Sequence, residues 1–229
     1  MSYVFGYAVA DGCICKRKGR KNSYTFNITS KDKDILLKIR QIMDSNHPID
    51  RKYNSQRMPY SFIQICNKEV CKDLISLGIN PRKTYNLDSL NVPEKYLSDF
   101  VRGFFDGDGT VYIYKVNGVL QIKAGFVSTS INFLSNFNQR LCLALGIPPK
   151  SIHSFSQEGK LIEYNICFYI DDCEKLADFM YGNSPFLYLL RKHKIFEEWK
   201  QINRRHYNKR NYPSKIGWHL NNQAQAASR

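Results

Sequence analysis

Apolar and polar residues alternate in two stretches that lie at corresponding places in the two halves of the chain, residues 23–29 and 119–127. Their apolar members are Tyr24, Phe26, Ile28, Leu120, Ile122, Ala124 and Phe126, and their polar members include Thr25, Asn27, Thr29, Gln121 and Lys123. A period of two is typical of a β-strand that buries one face and leaves the other in water. The pattern therefore predicts antiparallel sheets with one apolar and one polar face.

Segments with helical spacing of apolar residues lie between the predicted strands. One helix is predicted over residues 96–109, and helices capped by Ser or Thr are predicted to open at residues 30–32 and 128–130. Each half then has the order helix, two strands, helix, two strands, helix. Residues 86–97 carry a proline and no clear period, which predicts a connector between the halves.

The predicted elements repeat because the sequence itself is duplicated. FGYAVADG at residues 5–12 matches RGFFDGDG at residues 102–109. Three more segment pairs match in the same order, namely 30–39 with 128–137, 62–66 with 163–167, and 71–74 with 173–176. One short match is common by chance, but four matches in one order indicate two related halves.

The duplication and the connector together predict the domain organisation. The predicted boundaries are residues 1–87 for the first half, 88–97 for the linker, 98–204 for the second half and 205–229 for a basic tail.

The chain carries 34 Lys and Arg against 20 Asp and Glu, a formal net charge of +14. Such an excess favours a polyanionic partner, either nucleic acid or an anionic membrane surface. No apolar stretch is long enough to span a bilayer and no signal peptide opens the chain, so nucleic acid is the expected partner. Seven cysteines without a CxxC pair disfavour a zinc site and favour reduced thiols. The expected location is intracellular with access to DNA, not secreted.

Small residues four positions apart mark one face of each duplicated helix. Gly6 and Ala10 take the places in the first half that Gly103 and Gly107 take in the second. This spacing puts both small residues on one ridge, where no side chain holds a neighbouring backbone away. We therefore expect the two helices to pack side by side, with their C-terminal ends together.

Each of these helices ends in an Asp-Gly pair, Asp11-Gly12 and Asp108-Gly109. The glycines suit a left-handed helix stop. An aspartate at a helix C-terminus is unfavourable because that end of the dipole is already negative, and two brought together are worse. Taken singly, either motif also fits an ordinary helix end with a solvated aspartate. The duplicated pair favours two carboxylates that share Mg²⁺, which prefers hard oxygen ligands and supports phosphodiester hydrolysis.

The stretches VFGYAVADG and VRGFFDGDG resemble the two signature helices of the LAGLIDADG homing endonucleases. LGINPRKTYNL at 77–87 and YLLRKHKIFEEW at 188–199 resemble the family's approach to the second motif and the end of its second half, so the resemblance covers roughly residues 3–204. It implies an α+β fold of two αββαββα halves related by a pseudo-twofold axis in a monomer. Each half has a saddle-shaped antiparallel sheet with helices on one face. The implied activity is cleavage of both strands of duplex DNA that is bound through the major groove.

The resemblance places the metal-binding acids at Asp11 and Asp108, the last acidic residue of each motif. It implies the carbonyls of Gly12 and Gly109 as further metal ligands. Magnesium is the expected ion, and calcium is expected to occupy the site without supporting cleavage.

A lysine near the site in each half is frequent in the family, and Lys83 and Lys192 occupy matching places late in their halves. An ammonium group there stabilises charge that develops at the phosphate or helps to activate water. Surface lysines that touch the DNA backbone are the alternative for both. Asp106 is not expected in the paired role, because Val9 stands at the matching position.

The polar faces of the strands are candidates for contacts with base edges in the major groove. The predicted base-contacting residues are Thr25, Asn27, Thr29, Gln64, Gln121, Lys123 and Asn165. Tyr112 and Tyr114 fit either the groove or the helix side. Two sheets that each cover about one turn of duplex imply a site of about 20 base pairs.

The hairpin KRKGRKN at residues 16–22 is strongly basic and is expected to bind phosphate, although it also fits a solvated turn. Its predicted DNA-binding residues are Lys16, Arg17, Lys18, Arg20 and Lys21.

Two other functions fit the same fold. A maturase, which is an RNA-binding splicing factor, would not need an intact pair of acids, so the presence of both disfavours a maturase-only role. A catalytically silent DNA-binding regulator would usually bring a helix-turn-helix module, for which the tail is too short. No obligate protein partner is expected in any of these cases.

Overall fold

The computed structural model describes residues 1–17, 23–81, 87–88 and 90–211, with side chains described as far as residue 202. The first half contains α1 (Ser2–Asp11), β1 (Gly12–Lys16), β2 (Tyr24–Ser30), α2 (Lys33–Ile42), β3 (Ile49–Tyr53), β4 (Pro59–Ile65) and α3 (Lys68–Ser76). After a 3-10 helix (Glu94–Tyr96), the second half contains α4 (Leu97–Asp108), β5 (Thr110–Val116), β6 (Val119–Ser128), α5 (Ile131–Leu145), β7 (His153–Phe155), β8 (Glu163–Tyr169) and α6 (Ile170–Tyr181). The last helix among the described residues is α7 (Leu190–Asn211).

Each half forms a four-stranded antiparallel sheet, and the strand order is the same in both, β1-β2-β4-β3 and β5-β6-β8-β7. The predicted α+β class and the αββαββα order of each half are confirmed. The alternating side chains fall on opposite faces as predicted, because Phe26 pairs with Ile65 and Ile28 with Ile63 on the buried side. Asn27 and Gln64 pair on the other side.

The helices cover the apolar faces of the sheets. In the second half the core is largely aromatic, and Phe126 of β6 lies 4.9 Å from Phe137 of α5 and 5.5 Å from Phe104 of α4, measured between ring centroids. Edge-on and offset ring pairs at these distances are favourable beyond their burial. The buried residues of both halves form one continuous core.

The centre of the molecule is the contact between α1 and α4, where glycines let the helices touch backbone to backbone. A Cβ on Gly6 would lie 2.1 Å from the carbonyl oxygen of Phe100, and a Cβ on Gly103 would lie 2.0 Å from that of Tyr3. A Cβ on Gly107 would lie 2.1 Å from the Cβ of Ala10. The predicted small-residue ridge is therefore the interface between the two halves.

The glycines that follow the two helices are required for a different reason from the predicted one. Gly12 and Gly109 have φ of −81° and −75°, so neither adopts the left-handed conformation expected of a helix stop. A Cβ on Gly12 would instead lie 2.5 Å from the carbonyl oxygen of Ala8, and one on Gly109 would lie 2.5 Å from that of Phe105. The chain turns from helix into strand so tightly that no side chain fits.

The predicted serine cap is correct in the second half and wrong in the first. Ser130 precedes α5, and its hydroxyl accepts a hydrogen bond from the Phe133 N–H at 3.2 Å. Helix α2 instead begins after Asp32, because Ser30 is still part of β2 and its hydroxyl accepts from the Tyr7 phenol at 3.0 Å.

The connector is held against the second half by its backbone. The Arg140 guanidinium on α5 donates to the carbonyl oxygens of Leu90 and Val92, and the Ser130 hydroxyl donates to that of Leu87. The predicted domain boundaries stay predictions, and residue 205, the predicted start of the tail, lies inside α7. Within the described part of the chain, no helix has the length and apolar character that crossing a membrane requires.

Candidate functional site

Asp11 and Asp108 end the two central helices, and their helices meet at that end. Ala10 and Asp11 lie against the last turn of α4, since a Cβ on Gly107 would be 2.1 Å from the Ala10 Cβ and 3.5 Å from an Asp11 carboxylate oxygen. Both aspartates are only partly buried. A cleft of about 200 Å³ opens beside Asp108, and Ala10, Thr129 and Glu163 also line it. Two partly exposed carboxylates from different helices thus lie at one edge of the helix pair.

Lys192 of α7 reaches the same end of α4 from the other side. Its side chain is only 5 % exposed. The ammonium group donates to the carbonyl oxygens of Phe105 and Gly109 at 2.6 Å, of Asp106 at 2.9 Å, and more weakly of Gly107 at 3.4 Å. Those of Asp106 and Gly107 belong to the last turn of α4, where a helix leaves its carbonyls without helical partners. Lys192 therefore caps the negative end of the helix dipole.

The electrostatics of Lys192 tie it to both aspartates. Burial lowers the pKa of its ammonium group to about 8, while the negative charges of Asp106, Asp11 and Asp108 act in the opposite direction. Each of the three carboxylates is close enough to affect the lysine. The lysine thus belongs to the same charged cluster as the paired acids, and its role in the reaction stays a prediction.

The contacts of Lys192 affect two predictions for this site, the need for a metal ion beside Asp108 and the role of the Gly109 carbonyl as a metal ligand. Part of the negative charge at the end of α4 is already offset by the lysine, so a metal ion is not the only cation that stabilises Asp108 there. The carbonyl oxygen of Gly109, a predicted metal ligand, accepts a hydrogen bond from Lys192 at 2.6 Å, which occupies one of its two lone pairs. Gly12, the other predicted carbonyl ligand, is the first residue of β1 and pairs with Ile28.

The donors present suit a hard divalent cation. The two partly exposed carboxylates provide charged oxygen ligands, and the cleft beside Asp108 leaves room for water, which Mg²⁺ retains in most protein sites. Among the residues that the structure describes, no group of three or more His, Cys, Asp and Glu side chains is placed to hold a metal. The candidate ligands are therefore the carboxylates of Asp11 and Asp108 together with backbone oxygens and water.

Asp106 is close in sequence to Asp108, but its side chain has a different environment. It is 1 % exposed, and one carboxylate oxygen accepts from both the Tyr3 phenol at 2.7 Å and the Leu189 N–H at 2.8 Å. Burial is the main cause that raises its pKa to about 6, and the two hydrogen bonds and the charges of Lys192 and Arg102 act against it. Its counterpart Val9 is buried and apolar.

The seven predicted base-contacting residues lie on the sheet faces that point away from the helices. Asn27 is opposite Gln64, Gln121 is opposite Tyr114, and Lys123 lies between Tyr112 and Tyr169. The exposed or partly exposed members are Asn27, Thr29, Gln64, Gln121, Lys123 and Asn165. Both sheets therefore present polar side chains on the face that strands use in a groove.

Thr25 differs from the other predicted base-contacting residues. It is on the polar face, but only 4 % of it is exposed, and its hydroxyl accepts from the Gln64 amide at 3.5 Å. The burial of Thr25 was not predicted, because strand alternation alone does not show which neighbours cover a side chain, and its contact with a base stays a prediction.

The structure also adds aromatic and basic residues to the polar faces. Tyr112 and Tyr114, whose orientation the sequence left open, are on the face of Lys123 and Gln121, and the Tyr114 phenol donates to the Gln121 amide oxygen at 3.1 Å. Lys52 of β3 lies over the Phe62 ring at 4.0 Å on the same face of the first sheet. The sequence did not identify Lys52 as a site residue, because β3 has no clear alternation of apolar and polar residues.

Four predicted site residues lie outside the described residues, namely Lys83, Lys18, Arg20 and Lys21. Lys16 and Arg17, the first two residues of the basic hairpin, are exposed at the end of β1. The Arg17 N–H donates to the carbonyl oxygen of Ser23, which begins the return to β2.

Comparisons with known proteins identify what this architecture resembles. Residues 95–178 match the LAGLIDADG-like domain, from the 3-10 helix into α6. The solved structure of the LAGLIDADG homing endonuclease I-GzeII in complex with a DNA target superposes with a TM-score of 0.58 at 13 % identity, over 96 % of this chain and 94 % of that one. The I-SmaMI LAGLIDADG homing endonuclease bound to cleaved DNA superposes with a TM-score of 0.56 at 13 % identity, over 100 % and 96 %. A comparison with curated protein sequences finds no match.

Proposed function

We propose that this chain, which carries a LAGLIDADG-like domain at residues 95–178 and has the fold of the LAGLIDADG homing endonucleases, is a site-specific DNA endonuclease. It binds a duplex target of about 20 base pairs through the major groove and cuts both strands with divalent metal ions. It acts as a monomer, since one chain contains both halves, and it works inside the cell where DNA is accessible.

One observation carries the proposal. Two helices pack so closely through Gly6, Gly103 and Gly107 that their C-terminal aspartates, Asp11 and Asp108, lie at the same edge of the molecule. Each helix continues directly into the first strand of a sheet with a polar outer face. A duplex that follows the two sheets would therefore pass the pair of carboxylates.

Two carboxylates and two lysines have different roles in the proposed reaction. Asp11 and Asp108 would hold the metal ions, and bound magnesium supplies an activated water and a Lewis acid for phosphodiester hydrolysis. Lys192 keeps a positive charge beside Asp108 and stabilises negative charge that develops at the phosphate. Lys83 is proposed for the matching role in the first half.

The polar faces and the net charge support DNA as the substrate. A formal charge of +14 favours a polyanion, and Asn, Gln and Lys side chains on strands can bond base edges in the major groove. The structure of I-GzeII is a complex with a DNA target, and that of I-SmaMI is bound to cleaved DNA.

The test is a selection for cleaved DNA. The protein is incubated with a library of randomised duplexes and Mg²⁺, and the ends that form are sequenced. We expect double-strand breaks at one position within a common site of about 20 base pairs. Binding without any break, or breaks without a common sequence, would contradict a site-specific endonuclease.

We expect the basic hairpin to contribute affinity and no sequence preference. Neutralising Lys16, Arg17, Lys18, Arg20 and Lys21 to Gln should weaken binding to all duplexes about equally, because phosphate contacts release counterions whatever the sequence. Each phosphate that the hairpin no longer neutralises should make the slope of log affinity against log salt concentration less negative by about 0.9. If all five residues contact phosphate, the slope should change by about 4–5. Fluorescence anisotropy on the selected target and on a scrambled duplex at several salt concentrations measures both.

The matched control neutralises five exposed lysines on the helices. These are Lys33, Lys68, Lys72, Lys95 and Lys175. The control changes the net charge equally and should lower affinity much less. A hairpin variant that changes the preferred sequence while its general affinity survives would show that the hairpin contacts bases.

A further inference from the structure

We propose that Asp106 is a positioning residue, which holds Lys192 beside the paired carboxylates. The carboxylate of Asp106 positions the lysine by accepting a hydrogen bond from the backbone of Leu189. It also accepts a hydrogen bond from Tyr3, which links this anchor to the first half of the molecule. The inference deepens the proposed function and rests on it for its activity measurements, but the placement of Lys192 can be tested without DNA.

The first step is the contact between Asp106 and the start of α7. One carboxylate oxygen accepts from the Leu189 N–H at 2.8 Å. The Leu189 carbonyl oxygen in turn accepts from the N–H groups of Lys192 and His193, both at 3.1 Å. Leu189 is thus bonded through its N–H to Asp106 and through its carbonyl to the first turn of α7. Asp106 therefore fixes where that turn begins relative to α4.

The second step is the reach of the lysine. From the first turn of α7, the Lys192 side chain extends to four carbonyl oxygens at the end of α4, of which that of Asp106 itself is one. A side chain with four rotatable bonds finds this position reproducibly only when its backbone is fixed. The ammonium group then lies within electrostatic range of both Asp11 and Asp108.

The third step is the connection across the halves. The carboxylate oxygen that accepts from Leu189 also accepts from the Tyr3 phenol of α1 at 2.7 Å. The Arg102 guanidinium, one turn earlier on α4, donates to the carbonyl oxygens of Leu187 and Met180 at 2.7 Å and so fixes the segment before α7. The anchoring group is particular to the second half, because Val9 at the matching position has no polar atom in its side chain.

The geometry separates the effects of two substitutions. Both donors bond to the same carboxylate oxygen, and the other oxygen has no hydrogen-bond partner among the described residues. Asp106→Asn can place its amide oxygen where the two donors meet and keep the anchor. Asp106→Val, which introduces the residue of the first half, removes the acceptor and leaves the Leu189 N–H buried without one.

The first measurement uses the free protein. An N-hydroxysuccinimide ester acylates exposed lysines, and mass spectrometry gives the rate at Lys192, with Lys200 on the same helix as the internal control. We expect Lys192 to be protected in the wild type and in Asp106→Asn, and several-fold more reactive in Asp106→Val and, to a smaller extent, in Tyr3→Phe. Equal protection in all four proteins would overturn the proposal, and it would do so even if the chain cuts no DNA.

The second measurement uses single-turnover cleavage of the selected target. Asp106→Val should lower the rate about 10- to 100-fold, the usual loss when a supporting residue of a metal site is removed, with DNA affinity in Ca²⁺ unchanged. Asp106→Asn should restore most of the rate. In a Lys192→Met background Asp106→Val should add little further loss, because it acts through the lysine.

The outcomes separate the inference from the function on which it rests. The proposal would be overturned if the rate losses of Asp106→Val and Lys192→Met multiplied in the double variant, because Asp106 would then act independently of Lys192. It would also be overturned if Asp106→Asn cut as slowly as Asp106→Val. If Asp106→Val does not fold, the same comparison is made with Tyr3→Phe. A wild type that does not cut at all contradicts the proposed function and leaves the acylation result to decide the positioning role.

Discussion

Replacing Asp11 or Asp108 by Asn is expected to lower double-strand cleavage by at least about 100-fold, more than the loss of a residue that only supports a metal ligand. The substitution keeps an oxygen at each helix end but removes the charge that holds the metal. Each carboxylate is proposed to serve one strand, so a break across both strands needs both. Single-turnover cleavage of the selected target in Mg²⁺ measures the effect.

DNA binding should survive in both variants, because removing a negative charge beside a polyanion does not weaken the attraction. Asp73→Asn is the matched control, since Asp73 is an exposed helical aspartate of α3 in the first half and its variant should cut at the wild-type rate. Wild-type cleavage by both site variants would show that the paired carboxylates do not carry the reaction.

Replacing Gly103 by Leu is expected to be the most destabilising change in the interface between the halves. A Cβ at this position would lie 2.0 Å from the carbonyl oxygen of Tyr3 and 2.9 Å from the Tyr7 backbone nitrogen, so helix α1 itself would have to move. The cost should reach about 3 kcal/mol or more, the upper end for overpacking. For a chain of this size, that corresponds to a melting temperature lower by about 6–12 °C.

Thermal unfolding followed by circular dichroism checks the expectation for Gly103. Gln139→Leu introduces the same side chain at an exposed position of α5 and should change the stability by no more than about 0.5 kcal/mol. Gly103→Ala should fall between the two, because alanine adds the clashing Cβ but none of the further atoms of leucine. A Gly103→Leu variant that melts like the wild type would place the interface elsewhere.

The parts of the fold that the sequence predicts are those encoded by local periodicity and by the duplication. Alternation along β2 and β6 predicts which side chains are buried, and Phe26 and Phe126 are buried at matching places in the two sheets. The small residues Gly6 and Ala10 on one helix, and Gly103 and Gly107 on the other, predict the helix contact, because small residues four apart form a ridge that lets backbones approach closely. A motif that recurs at matching places in both halves therefore predicts the fold better than either copy alone.

What the sequence does not predict depends on contacts between distant segments. The bond from Asp106 to Leu189 joins residues 83 positions apart, and the lysine that caps α4 is 83 positions beyond Gly109. Thr25 has a regular place in its strand, but its burial depends on neighbouring strands. The left-handed stop predicted at Gly12 and Gly109 is wrong because a glycine that avoids a clash and a glycine with positive φ look alike in sequence.

Strand-resolved cleavage of the selected target by the wild type tests most directly whether this chain cuts both strands of DNA in a metal-dependent reaction. Each strand carries its own label, and the reaction is followed in Mg²⁺, in Ca²⁺ and in EDTA. We expect both strands to be cut at defined positions in Mg²⁺ and neither in EDTA. In Ca²⁺ the duplex should stay bound and intact, because the larger, looser shell of calcium positions water poorly. Cleavage that continues in EDTA at the rate seen in Mg²⁺ would contradict a metal-dependent reaction.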